Sequence, residues 1–586
     1  MFENEISRLQ GLIASVCQEN DLPDLEIKMT SIPFSGEWGV ATSFFAMAAA
    51  EARSGKKVIV PKRAQEIAEL VAEKIRLPEG FTRAEAVRGY LNIYFDTNGF
   101  TKKVIGTVFN EGADFGRLPE TGKKILVEFS QPNTHKAFHV GHLRNMILGG
   151  AVCNILDWAG NDVIRANYIG DIGLHVIKWL WNYIKHHQGE EPDAEAVKWL
   201  GKIYAEAAKY YEEDPAVEPE VRDLFGRWHN GDEELAELWK KTRQWSMDAF
   251  LALYDQIGIQ FDHIYYESEV EHSGIDLVEE LIEKGIARDE RPEDSVIVPL
   301  DEILGFEEKY RVLVVLRSDG TSLYSTKDLA LAIKKFEDFN PDQSVYIIDV
   351  RQSLYLQQVF KTLELMGHKE MAERCYHLPY EVVNLPGNVT MSSREGTVVL
   401  LEDLIKEATD RAFDVVTQKN PELPESTRKE IAAAVAMGSI KYTMVSKDNK
   451  KIVTFDWEKA LDFNGQAAPY IQYAYVRAGS ILRKAGEEVP VMPTTVPVLQ
   501  PAEIQLIELM TKVPAMIKKS ADEMQPMHIA SLTYDMAKGF NDFYNQCPVL
   551  KVEGDERAFR LNLVKAARQT IANCLAVLGI IAPEAM

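Results

Sequence analysis

Between residues 123 and 185 the chain reads strand, loop, helix, strand, loop, helix. KKILVEFS opens as a strand, Leu143–Ala159 follows as an apolar-periodic helix, Val163–Tyr168 is a second strand, and another helix begins near Leu174. Strands joined through a helix must run parallel, so this order predicts a doubly wound sheet. Ligands of such sheets sit at the carboxyl ends of the strands. The pattern resumes near Phe261–Glu267. Predicted strands Tyr310–Leu316 and Ser344–Asp349 then each lead into a helix, Thr326–Phe336 and Leu354–Met366. The run YEVVNL reads as the last strand of the series.

Around this core, residues 1–115 read as a small α/β domain, with helices at Phe2–Cys17, Ala41–Arg53 and Ala64–Lys74 and β-type runs at Lys57–Val60 and Tyr90–Phe95. Residues 116–400 form the doubly wound domain. It is interrupted at about 188–250 by a charged helical insertion that contains Pro192, Pro215 and Pro219. From residue 401 to 586 the periodicity is helical almost throughout, predicting an all-α bundle with a Pro-rich linker near Gly486–Pro501.

No apolar run approaches the roughly 20 residues of a membrane span, and the first residues carry acids instead of an apolar signal core. Cytoplasmic residence is the expectation. The five cysteines are scattered and never form a CxxC pair, which predicts neither a disulfide scaffold nor a cysteine-based metal site. Net charge is −24, which taken alone opposes nucleic-acid binding, yet residues 51–90 hold nine Lys+Arg against six Glu. Most charged segments are solvated faces, and a local basic surface is the alternative reading of that count.

Two segments carry chemistry. Pro132–His142 lies between a predicted strand and the start of a helix. Gly141 permits close backbone approach, the helix N-terminus favours anions, and His139 and His142 are three residues apart on one turn. That suits a nucleotide triphosphate, although a metal pair or packed histidines would share the spacing. The second segment is Gly387–Gly396, a loop of small hydroxyl residues with one arginine after the last predicted strand. Together they would frame one crevice from both sides.

An HxGH turn paired with a Met-Ser loop resembles the signature of class I aminoacyl-tRNA synthetases. Within that class the chain is similar to the arginyl-tRNA synthetase family over its whole length. The likeness rests on VEFSQPNTHKAFHVGHLRN (Val127–Asn145), ANYIGDIGLH (Ala166–His175), SLYSTKDLALA (Ser322–Ala332), VRQSLYLQQVF (Val350–Phe360), MSSREGTVVLLEDL (Met391–Leu404) and PYIQYAYVR (Pro469–Arg477). The resemblance implies a Rossmann-like catalytic domain that activates L-arginine with ATP and Mg2+, then transfers it to tRNA(Arg), in a protein that acts as a monomer. It assigns ATP contacts to Pro132, Lys136, Phe138, His139, Gly141 and His142, with Met391, Ser392 and Arg394 joining Lys136 and the histidines in catalysis. It places the substrate arginine among Glu128, Ser130, Asn133, Glu267, Tyr324, Asp328 and Gln352. Carboxylates and hydroxyls are the natural partners of a five-donor guanidinium. Glu128 alternates with Val127 and Phe129, a pattern that also fits a solvated strand residue.

The family's KMSKS loop reads Thr390-Met391-Ser392-Ser393-Arg394 here, without either lysine. A transition state building charge on phosphate needs cations, and Lys136, three residues before His139, is the expected substitute. The N-terminal domain resembles the family's tRNA-elbow module, with Asn92 and Phe95 as candidates for an unpaired base. The C-terminal bundle resembles its anticodon-binding domain, with Tyr473 and Arg477 offering an aromatic face and a cation. An alternating strand and a helical core explain the same residues. A smaller nucleotidyltransferase and an inactive RNA-binding paralogue are the rival readings; the flanking domains oppose the first and the intact His139, Gly141, His142 and Asp328 oppose the second.

Overall fold

The computed structural model describes residues 3–32, 38–192, 195–385, 389–390, 400–486 and 489–586. Its centre is a five-stranded, all-parallel sheet in the order Cys375–Tyr380, Gln343–Asp349, Lys124–Glu128, Asp162–Ile169, His263–Tyr266. Val127, Ile347, Val345 and Leu126 are fully buried, as expected for strands covered on both faces. The helix Val140–Trp158 crosses between the first two sequential strands and is enclosed along most of its length. Its Arg144 is almost wholly buried. It donates to the carbonyls of Glu381, Val382 (3.2 Å) and Asn449 (3.1 Å), tying the sheet domain to the start of the bundle.

Three expectations about strands need correction. Leu313–Leu316 does not join the parallel sheet; it pairs antiparallel with Val296–Val298 in a separate three-stranded sheet. Burial alternates there, with Val315 enclosed and Val314 40% exposed, the signature of a sheet wet on one face. YEVVNL is divided. Tyr380 ends the parallel edge strand Cys375–Tyr380, whose earlier residues were not expected to be strand; it holds Pro379, which an edge strand tolerates. Val383–Leu385 pairs instead with Val453–Thr454 and Val389–Thr390 in a small sheet of its own. The run Lys57–Val60 is not a strand either. Val60 starts the helix Val60–Lys74, with proline in its first turn where the missing N–H costs nothing, and Lys56 is paired to buried Glu51 at 2.7 Å.

The N-terminal unit is a four-stranded antiparallel sheet, Thr30–Ser31, Gly39–Ser43, Tyr90–Phe95, Phe81–Val87, with helices Glu3–Glu19, Phe45–Arg53, Val60–Lys74 and Thr97–Glu111. The insertion is three helices, Ala196–Glu213, Val217–His229 and Glu233–Ile257, packed on Leu174–Asn182 around Trp179, Leu200, Val221 and Leu235. Pro219 does not break the second helix, because it falls in the first turn. Helices from Leu401 to Val577 form the C-terminal bundle. No described helix is long and apolar enough to cross a membrane.

Candidate active site

Strand Lys124–Glu128 delivers its last residue to the carboxyl edge of the sheet, and the chain then enters a tight loop. Ser130, Gln131 and His135 all adopt positive φ (79°, 46° and 62°), a conformation that costs L-residues energy and persists only where surroundings enforce it. The enforcement is visible. Asn145 accepts from the Ser130 N–H at 2.5 Å, Asn167 accepts from the Gln131 N–H at 3.1 Å, and Asn133 bridges to Gly170 on the neighbouring strand. His135 is fully buried between the hydroxyls of Thr134 and Thr242, both at 2.9 Å, and burial pushes its imidazole down to about 3. It clamps the loop to the insertion.

This loop roofs a cavity of about 420 Å³ at the carboxyl edge. Glu128, Asn133, Glu267, Tyr324, Asp328 and Gln352 all line it. Glu128 faces inward, 2% exposed, paired with Lys335 and accepting from Gln131 at 2.9 Å. Glu267, the first residue of helix Glu267–Glu283, is paired with Lys327 at 2.7 Å. Burial pushes its carboxyl up to about 7 against the pull of that ammonium. Asp328 accepts instead from the neutral Tyr355 hydroxyl at 2.5 Å, and burial raises its carboxyl to about 6. So among the described residues, two of the three carboxylates in this cavity have a lysine within ion-pair distance and the third has none.

The histidines stand at the start of the following helix, their rings stacked with centroids 3.8 Å apart. Nδ1 of His139 accepts from the Gly141 N–H at 3.1 Å, and Nδ1 of His142 accepts from the His139 N–H at 3.2 Å. Both Nδ1 atoms being acceptors, the neutral rings carry their protons on Nε2, where each can donate to an anion. Burial lowers both imidazoles, His142 well below the ordinary range with His139 and Lys136 adding to the effect. Neutral donors on a helix N-terminus are the outcome. Leu400 bridges antiparallel to His139, and its neighbour Leu401 donates to the Phe138 carbonyl at 3.2 Å. Leu400 and Leu401 therefore adjoin the histidine turn.

Comparison with known proteins turns this arrangement into a lineage. Residues 106–457 match the family model "tRNA synthetases class I (R), catalytic domain", and residues 471–586 match "DALR anticodon binding domain". The arginine–tRNA ligase of Clostridium perfringens is 35% identical over 532 residues, covering 90% of this chain and 92% of that protein. The chain belongs to the arginyl-tRNA synthetase family. The arginine–tRNA ligase of Bdellovibrio bacteriovorus is likewise 35% identical, over 512 residues. The solved Thermus thermophilus arginyl-tRNA synthetase superimposes with a TM-score of 0.78 at 28% identity, covering 99% of this chain and all of that one.

Within this arginyl-tRNA synthetase fold, several expected contacts fall elsewhere. Ser130 is absent from the cavity wall; its hydroxyl is buried 2.7 Å from that of Tyr254, so it braces the loop. Phe138 is 1% exposed, edge-on to Phe250 at 4.7 Å, and backs His142 instead of facing a nucleotide. Pro132 is buried, its carbonyl accepting from Gly170. Lys136 stands 4.9 Å over the Tyr204 ring and lines a second cavity, about 430 Å³, that adjoins the first through Glu267 and Tyr324. Phe95 is unavailable to a base, being stacked on Phe100 at 4.4 Å and packed against Trp38 in the N-terminal core. Asn92 is only 2% exposed on the same strand. Tyr473 and Arg477 do share a surface, 4.7 Å apart on the wall of a cavity of about 680 Å³ with Lys484, Tyr544 and Lys551. Met391, Ser392 and Arg394 lie outside the described residues.

Sequence reasoning missed Tyr168, Gln131, Tyr346 and Tyr355, all cavity-lining. Tyr168 is 8% exposed and its hydroxyl has no hydrogen-bond partner among the described residues, so it is free for a ligand. Its place at the end of strand Asp162–Ile169 was the available signal.

Proposed function

We propose that the chain is an arginine–tRNA ligase that works in two steps at the carboxyl edge of the parallel sheet. The observation that carries this reading is the cavity in which Asp328, alone among three carboxylates, has no lysine or arginine paired to it among the described residues. A guanidinium supplies one planar positive charge and five donors for Asp328, Glu267 and the surrounding hydroxyls. Citrulline, which lacks the charge, and lysine, which lacks the fork, leave buried acceptors unpaired; such mismatches cost on the order of 10⁴-fold.

In the first step the arginine carboxylate, already ionised at neutral pH, attacks the α-phosphorus of ATP in line, and pyrophosphate leaves. Magnesium enters with ATP as its counter-ion. His139 and His142 donate through Nε2 to phosphate oxygens as charge develops, and removing one such donor costs about 3–4 kcal/mol. Both rings being neutral, positive charge must come from elsewhere, and Lys136 and Arg394 are the proposed sources. In the second step a terminal ribose hydroxyl of tRNA(Arg) attacks the adenylate carbonyl, releasing AMP.

Residues 1–115 are proposed to meet the tRNA elbow and residues 401–586 its anticodon, the latter through the Tyr473–Arg477 surface. A monomer in the cytoplasm is the accompanying proposal. The test is ATP–pyrophosphate exchange with each of the twenty amino acids, with and without bulk tRNA. Exchange with arginine alone and only with tRNA is expected; exchange with a different amino acid overturns the pocket assignment, and silence with all twenty overturns the enzyme.

A further inference from the structure

The lysine next to Asp328 has no role in the mechanism above, yet it lines the adjoining second cavity and its ammonium is bonded to Glu267 in the wall of the first. We propose that Lys327 is a specificity-determining positioning residue: its ammonium, paired to Glu267, keeps that carboxylate an acceptor-only group and so selects guanidinium over its uncharged ureido isostere. This rests on the reading of the cavity as the arginine site.

The geometry is specific. Lys327 Nζ lies 2.7 Å from Glu267 Oε2, with Lys327 6% and Glu267 3% exposed. The other oxygen, Oε1, stands 3.5 Å from where a Cβ on Gly170 would be, and Glu267 and Gly170 both line the cavity. One oxygen is therefore held by the protein and the other is presented to a ligand. A carboxylate in that posture accepts a guanidinium N–H. A carboxylic acid there would instead donate to the oxygen of a ureido group, and the site would lose its discrimination against citrulline.

Whether Glu267 holds a proton depends on all the charges that face it. Lys327 and Asp328 come from helix Tyr324–Phe339. Asp171 comes from the loop after strand Asp162–Ile169 and is itself tied to Arg243 of the insertion at 2.9 Å. Lys136 comes from the histidine loop. Two nearby acids and burial favour the protonated form; among the described residues Lys327 is the only cation bonded to Glu267, and it pulls against them toward the anion. The start of helix Glu267–Glu283 acts in the same direction. Glu128, by comparison, takes its cation from Lys335, which lies further along the same helix and is fully enclosed.

The experiment compares arginine with citrulline in tRNA-supported ATP–pyrophosphate exchange between pH 6 and 9, for wild type, Lys327→Met and Lys327→Arg. Lys327→Met is expected to lower the arginine-to-citrulline ratio of kcat/KM at neutral pH by about tenfold or more, with the ratio recovering as pH rises and Glu267 loses its proton. Lys327→Arg is expected to restore the wild-type ratio and pH profile. A merely structural lysine would lower exchange with both amino acids in parallel and leave the ratio flat across pH, which overturns the proposal. If Lys327→Met fails to fold, Glu267→Gln decides: its amide donates as the protonated acid would, so a lowered ratio supports the proposal and an unchanged one overturns it. A wild type that does not exchange with arginine overturns the functional reading as well, whereas a wild type that does, beside an unchanged ratio, overturns this inference alone.

Discussion

The Tyr355 hydroxyl lies 2.5 Å from Oδ2 of Asp328, so the one cavity carboxylate without a lysine is oriented by a neutral donor. A neutral donor fixes the carboxylate without consuming its charge. Tyr355→Phe removes a bond to a charged group, about 1.5–3 kcal/mol. The expected result is a 10- to 100-fold fall in kcat/KM for arginine, roughly, with ATP affinity unmoved. Steady-state exchange at varied arginine checks it, and an unchanged KM for arginine would remove Asp328 from the guanidinium contact.

Asp328 and Glu267 also make arginine use pH-dependent. Burial holds their carboxyls up near 6 and 7. The folded state therefore binds those protons more tightly than the unfolded chain. Their contribution to stability is present below the unfolded values and declines as pH rises toward 7. Arginine requires the charged forms, so kcat/KM for arginine should rise across pH 6 to 7 while the stability contribution falls. A kcat/KM that is flat over that interval contradicts the assignment.

Gly141 has little room for a side chain. A Cβ there would stand 2.9 Å from Cε1 and 3.0 Å from Nδ1 of His139. Gly141→Ala should turn that ring off its N–H partner and misplace the Nε2 donor. The expected loss is about 10- to 100-fold in exchange kcat, below that for removing one donor outright, because the ring is displaced and not lost. Arginine binding measured by calorimetry should be unchanged; if it weakens equally, the histidine turn serves folding rather than phosphate chemistry.

Lys335 is wholly enclosed and pairs with Glu128 while lying 4.0 Å over the Tyr346 ring. Lys335→Met leaves a buried carboxylate without its cation, a change worth about 3–5 kcal/mol. Urea unfolding should show that loss, and Glu128→Gln in the same chain should recover part of it. Failure of the second change to recover stability would mean the lysine matters for packing alone.

Phe95 tests the reassignment of the N-terminal strand. Phe95→Ala opens a cavity beside Trp38, Phe81 and Phe100 and should cost about 3–5 kcal/mol in unfolding. A variant with unaltered stability and a raised KM for tRNA would return Phe95 to the RNA surface.

Much of this was legible in the chain. The strand-loop-helix order located the Lys124–Glu128 strand and the histidine turn, because period and turn chemistry are local properties. Local pattern failed where every residue was apolar. Leu313–Leu316 offers no polar alternation to separate a half-wet antiparallel strand from a buried parallel one. Phe95 failed for a related reason: alternation names two faces of a strand without saying which one meets the core.

By itself, the sequence determined the order of the elements, the placement of the HxGH turn at a carboxyl edge and the stock of residues from which a guanidinium site is built. Tertiary structure decided how the charges are paired. Glu267 and Lys327 are separated by 60 positions, and Glu128 and Lys335 by more than 200, so no local pattern links them. Folding brings those lysines to two of three buried carboxylates, where desolvation makes each partner decisive, and leaves Asp328 with the neutral Tyr355 hydroxyl.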